Sequence, residues 1–233
     1  MFLERCHDVQ AVRLIKTLLV AGAALALPSR ALSQNSASVA VASSYSARGI
    51  ALSDHPVIQL RVDHDTDDGW YVGSFASPVT LVGSRTQAEL IVYGGRARQL
   101  ESGVSWDAGV SRTLFLRDRG YGYVELYAGL ALDRASASVF LSPAYYGAGR
   151  SAYLDLNAFH PLGEKLRLTA HAGLLHAFAD YGADAYDRVD LRLGLTLDLG
   201  RWNLQASLGT LLRAGGGELA RAPPLSASAS LRF

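Results

Sequence analysis

The stretch Val189-Asp190-Leu191-Arg192-Leu193-Gly194-Leu195-Thr196-Leu197-Asp198 places an apolar side chain at every second position, with a polar residue or glycine between. Side chains of a β-strand point alternately to its two faces, so this segment reads as a strand with one greasy and one polar side; a helix would need apolar residues three and four apart. The same period recurs along the chain. Ile58, Leu60 and Val62 alternate with Gln59, Arg61 and Asp63; Ala88, Leu90 and Val92 with Gln87, Glu89 and Ile91; Leu154, Leu156 and Ala158 with Asp155 and Asn157. Leu166 to Leu174, Trp202 to Gly209 and Leu225 to Phe233 repeat it.

A soluble β-sandwich also alternates, so the pattern alone does not separate a sandwich from a membrane barrel. Length and flanks favour the barrel. Several runs extend to the roughly nine to eleven residues that a tilted strand needs to cross a bilayer, whereas globular strands average about five or six. The chain of 233 residues is 49% hydrophobic and only 18% charged, against about 25% charged in a typical soluble domain. Its formal charge of +1 gives no field for nucleic acid, and none is expected as a partner. The longest uncharged apolar run, Leu18 to Leu27, has ten residues, about half the length of a spanning helix.

Arg5, Arg13 and Lys16 precede that run, and Pro28 with the small residues Ala31 and Ser33 follows it. Residues 1–33 are therefore expected to be a secretory signal peptide and residues 34–233 the outer-membrane barrel. Removing the signal takes away Cys6, the only cysteine, leaving an exported part without thiols, as suits an oxidising compartment.

We count twelve transmembrane strands, beginning near residues 38, 56, 70, 86, 104, 120, 135, 151, 165, 187, 201 and 224. Ten remain open, because the segments near 104 and 135 are the least regular. An even count leaves both ends on one side of an antiparallel, up-and-down barrel. His160 to Glu164 and Leu199 to Arg201 then form short inner turns, while Ala179 to Tyr186, Leu212 to Pro223 and Gly49 to His55 lie outside. The C-terminal Phe233 resembles the end of the closing strand of bacterial outer-membrane barrels, which the barrel assembly machinery recognises.

Ser43-Ser44-Tyr45-Ser46-Ala47-Arg48-Gly49, Pro56 and the run from Gly69 to Ser77 resemble the opening of the TorF family of porins. Glu89 to Gly94, Tyr123 to Gly129, Tyr153 to Asn157 and Pro161 to Gly163 are also similar to it, although Ser44 stands where that family usually has Asp. The resemblance implies a porin of the bacterial cell outer membrane, set among lipid and lipopolysaccharide, and names no solute.

On the polar face, strand parity assigns Arg61, Arg167 and Arg192 with Asp63, Glu89, Asp107, Glu125, Asp155 and Asp190 to the lumen. These nine are the candidate pore-lining residues. Six acids against three bases predict a narrow, water-filled channel for small solutes or ions with a mild cation preference. The alternative is that the carboxylates pair with arginines and fill the interior, giving a closed structural or surface-recognition barrel. Tyr71, Tyr93, Tyr121, Tyr123, Tyr127, Tyr145, Tyr146 and Tyr153, with Trp70, Trp106 and Trp202, are expected to form interfacial girdles. Arg48 and Gly49, at the outer end of the first strand, read as a loop brace or a lipopolysaccharide phosphate contact.

No cofactor or metal is expected. The acidic run Asp63 to Gly69 lacks the glycine position and the closing Glu of a calcium loop and reads as a hairpin turn. His171 and His176 fall on opposite faces, as do Asn157 and His160. The latter separation disfavours a barrel-wall lipid hydrolase built with Ser151, and the chain is not read as an enzyme.

Overall fold

The computed structural model describes residues 34–80, 86–180, 184–214 and 224–233. The segment read as a signal peptide, and most of the glycine-bearing loop between Leu212 and Pro223, lie outside these residues. The described chain is almost entirely strand: β1 (Gln34–Ala42), β2 (Tyr45–Ala47), β3 (Ile50–Ser53), β4 (Val57–Asp65), β5 (Trp70–Thr80), β6 (Thr86–Gln99), β7 (Ser105–Leu116), β8 (Tyr123–Ala131), β9 (Ala135–Ser142), β10 (Ser151–Pro161), β11 (Leu166–Ala177), β12 (Tyr186–Leu199), β13 (Trp202–Ala214) and β14 (Leu225–Arg232).

Twelve of these strands, β1 and β4 to β14, close into one antiparallel barrel in which each pairs with its neighbour in sequence and β14 returns to β1. The expected count of twelve holds, and so does the up-and-down order. Closure leaves no strand edge unpaired, which is the condition for spanning hydrocarbon with β-structure. Short turns cluster at the end that carries both Gln34 and Phe233; β12 and β13 are joined there by Gly200 and Arg201 alone. Gly200 has φ 77°, a left-handed conformation that suits glycine at so tight a turn. The acidic segment is a hairpin turn as expected, with Gly69 N–H donating to the Thr66 carbonyl at 3.0 Å.

Every barrel strand carries at least one large apolar side chain that is 40% exposed or more, among them Leu60, Val72, Val110, Leu126, Leu193 and Leu208. A soluble monomer does not expose a continuous apolar belt around its whole circumference. The belt is the lipid-facing surface of a transmembrane barrel. Trp70 and Trp202 are half-exposed at the turn end of β5 and β13, where an interfacial girdle belongs.

Candidate functional site

The first strand does not run on to Gly49. It stops at Ala42, Ser43 N–H donates to the Ala227 carbonyl at 2.8 Å, and the chain turns into a small hairpin of β2 and β3 outside the barrel sheet. Arg48 and Gly49 are its two turn residues, with φ of 51° and 74°. Positive φ at both positions is the requirement of a two-residue type I′ turn. Gly49 is fixed by space as well, since a Cβ there would lie 2.5 Å from Leu211 Cδ1 and 2.9 Å from Asp190 Cβ.

These contacts show that the hairpin lies inside the lumen. The Tyr45 hydroxyl donates to Glu89 Oε2 at 2.7 Å, its ring packs 5.8 Å from Phe75, and Leu52 is 1% exposed. Arg48 Nη2 lies 2.8 Å from Glu125 Oε1 and 2.9 Å from Oε2. Its guanidinium also sits over three rings, 4.4 Å from the centroid of Tyr153, 5.2 Å from Tyr145 and 5.3 Å from Phe140. Cation–π attraction of this kind strengthens when both groups are dry. The hairpin therefore reaches from β5 and β6 to β8, β9 and β10, and Gly49 meets β12 and β13. This corrects the reading of Arg48 and Gly49 as a rim element: the Arg48 side chain is committed to Glu125, not to a lipid phosphate.

The tyrosines are corrected too. Tyr71, Tyr93, Tyr123, Tyr127, Tyr145 and Tyr153 are all under 8% exposed and belong to the interior cluster. Three of them lie opposite inward glycines: Gly95 faces Tyr71, Gly73 faces Tyr93 and Gly109 faces Tyr127 across neighbouring strands. A Cβ on Gly73 would come within 2.5 Å of the Tyr93 ring, so the missing side chain is what gives the ring its seat. Tyr71 donates to Asp107 Oδ1 at 2.6 Å and shares a 2.6 Å hydrogen bond with the Tyr127 hydroxyl. Tyr93 donates to Asp63 Oδ1 at 2.5 Å, and Arg61 Nε holds the other oxygen at 2.8 Å.

His171, on the inner face of β11, gathers a further group. Its Nε2 lies 2.8 Å from Asp190 Oδ1, and its Nδ1 is 3.0 Å from Asn157 Oδ1 and 3.4 Å from Asp155 Oδ1. Tyr153 donates to the second Asp190 oxygen at 3.2 Å, and Asn157 donates to Asp155. His176 points the other way, to Asp187.

Of the nine candidate pore-lining residues, Arg61, Glu89, Asp107, Glu125 and Asp190 are between 2% and 6% exposed. The carboxylates among them are spent on Tyr45, Tyr71, Arg48, His171 and Tyr153. Asp63 and Asp155 are engaged in the same way, by Arg61 and His171. Arg167 lies over the Phe159 ring at 5.5 Å. Arg192 alone of the nine lines the interior cavity described next.

The lumen is lopsided. Bulky rings and paired acids occupy the side formed by β5 to β11, and there the loop after β9 adds Tyr145, edge-on to Tyr123, and Tyr146, stacked on Phe115. The opposite wall, β13–β14–β1, turns mostly small neutral groups inward, with Arg232 the charged exception. Between it and the hairpin lies a cavity of about 50 Å³ bordered by Ala40, Tyr45, Gln59, Arg192, Gln205, Ser207 and Ser228, among others. That is room for about three or four waters.

Fold and lumen together define a closed twelve-stranded transmembrane β-barrel with an inward hairpin. The chain belongs to a family described as a bacterial protein of unknown function (Gcw_chp), whose model matches residues 29–208. None of the curated proteins matches it in sequence. Among solved structures it is similar to an outer membrane channel from Pseudomonas putida F1 (15% identity, TM-score 0.59, covering 91% of this chain and 98% of that one). It is also similar to the KdgM porin (11%, 0.55, 85% and 98%) and the NanC porin (10%, 0.51, 85% and 98%). At such identities the likeness is one of fold.

Proposed function

We propose that this protein is a narrow channel of the bacterial outer membrane for small polar solutes, with the β2–β3 hairpin setting its bore. The observation that carries the reading is the polar cavity left between the hairpin and the serine-lined wall of a lipid-facing barrel. Twelve strands lie between about eight, where side chains fill the interior, and the 16 to 18 of open porins. A constriction by one inward element fits that intermediate size. The resemblance to TorF porins supports the same assignment, and with it we assign the exposed Phe233 to recognition by the assembly machinery.

The mild cation preference does not follow from the count of acids, because ions respond to groups that face the water and these carboxylates face tyrosines, histidine and arginine. The competing reading, a closed barrel, draws on the many bonds that seat the hairpin. Single-channel recording in a planar bilayer under a salt gradient separates the two. Discrete steps are expected; silence from protein proved folded by its heat-modifiable gel mobility would overturn the channel and favour the closed barrel.

A further inference from the structure

Among the inward arginines, Arg192 is placed unlike the rest. Arg48 is held by Glu125 and Arg61 by Asp63, while Arg188 donates to the Tyr186 hydroxyl and the Arg48 carbonyl. Arg232 lies 4.0 Å from Asp198, and Arg167 covers a phenylalanine ring. The Arg192 side chain borders the cavity and makes no hydrogen bond or ion pair with the described residues, although its charge acts on Asp190 of the same strand. Asp190, two positions along the same face, spends its oxygens on His171 and Tyr153. The other polar groups around the cavity are neutral: the amides of Gln59 and Gln205 and the hydroxyls of Ser207, Ser226 and Ser228.

We infer that Arg192 makes this cavity a binding site for the carboxylate of a small hydroxylated acid. A guanidinium presents a planar fork of donors that matches a carboxylate oxygen for oxygen. Serine hydroxyls and glutamine amides both donate and accept, so they suit the hydroxyl groups of the same solute. One cation in a neutral pocket balances a monoanion; a dianion such as phosphate would enter with a charge left over. A neutral polyol would displace water from the guanidinium and give it no counter-charge in return. The cavity is small, so the acid that suits it is a small one. For transport this inference rests on the channel reading; for binding it does not.

The test uses barrel extracted in detergent from cells expressing the full chain, with radiolabelled glycerate as probe and glycerol as its neutral counterpart in equilibrium dialysis. Saturable binding of glycerate and none of glycerol is expected. Arg192→Gln should weaken glycerate about tenfold or more, Arg192→Lys should keep part of the affinity, and Arg167→Gln should leave it unchanged. Absence of glycerate binding to the folded wild-type barrel overturns the inference, as does equal binding by Arg192→Gln. Should Arg192→Gln fail to fold, Arg192→Lys and the contrast of glycerate with glycerol still decide. The same preparations go into planar bilayers. Conductance without glycerate binding refutes the inference and keeps the channel; Arg192-dependent binding in a silent barrel keeps the site and refutes the channel.

Discussion

Replacing Arg48 with alanine should unseat the hairpin. The substitution leaves Glu125, 5% exposed, without its cation, and strips the interactions with Tyr153, Tyr145 and Phe140. Removing one partner of a buried ion pair costs about 3–5 kcal/mol. The ring contacts add to the cost without summing simply, because all of them hold one group. The strain of a non-glycine residue at φ 51° persists in the alanine variant, so its relief does not offset the loss. Taking about 3 kcal/mol, the ratio of displaced to seated hairpin rises about a hundredfold, since each 1.4 kcal/mol is tenfold. Two readouts follow from that figure. A cysteine placed at Ser53, which is 7% exposed, in a Cys6→Ser background should react with a maleimide about a hundredfold faster when Arg48 is alanine. Single-channel conductance should rise, with larger or longer openings. Glu125→Gln should give a smaller change in the same direction, and the double variant should show strong coupling between the two sites. A folded Arg48→Ala barrel whose labelling rate and conductance both match the parent would refute the argument that this contact seats the hairpin.

Gly109→Val should drive a side chain into the Tyr127 ring that lies opposite, an overpacking worth about 1–3 kcal/mol, seen as a lower midpoint of urea unfolding in detergent, whereas Gly163→Val, where a Cβ meets nothing within 4 Å, should be silent. Leu193→Arg on the lipid face, where the native side chain is 54% exposed, should destabilise the barrel in bilayers by about 2–4 kcal/mol and by much less in water-rich detergent. At the loop end, Arg150 hydrogen-bonds Asp180 at 2.7 Å and holds its carboxyl below the usual aspartate value. A lowered folded value means that the tie contributes at neutral pH and is lost as the medium is acidified through that value, below the ordinary aspartate range. A nitroxide at Ala179 should therefore gain mobility in acid in the parent, and Asp180→Asn should be mobile already at pH 7 with little further change.

Strand parity was readable because the side-chain period is two, so Val189 to Leu197 fixed both faces of β12 at once; parity gives the face a residue takes and not whether it lines water. The same parity carried the tyrosines, since Tyr93 shares the face of Glu89, Tyr127 that of Glu125 and Tyr153 that of Asp155. Their aromatic character drew them to a girdle instead, and position near a strand end outweighed the side on which they stand. The glycines opposite them, invisible until register is known, are what admit the rings to the interior. The hairpin was hidden for another reason. Its turn is Arg-Gly where Asn-Gly or Asp-Gly is the familiar signal, and an arginine holds φ 51° here through distant partners on β8, β9 and β10 that no local window contains. The single cation of the cavity was likewise lost in a count, because charge totals do not record which acids are already occupied.

The seam between β1 and β14 joins the two strands of the sheet most distant in sequence. Ser38–Ala42 pair with Ser228–Arg232, so the cylinder is closed only through β14. The hairpin follows β1 directly, yet its anchors Glu89, Glu125 and Arg188 come one after another along the growing chain. In the folded barrel, strands far apart in the chain thus share one core element that follows the first strand directly. Non-local closure of this kind is intrinsically slow, and the hairpin brings successive walls to a common centre. The segment that occupies the lumen is also the one that ties distant walls of the cylinder together.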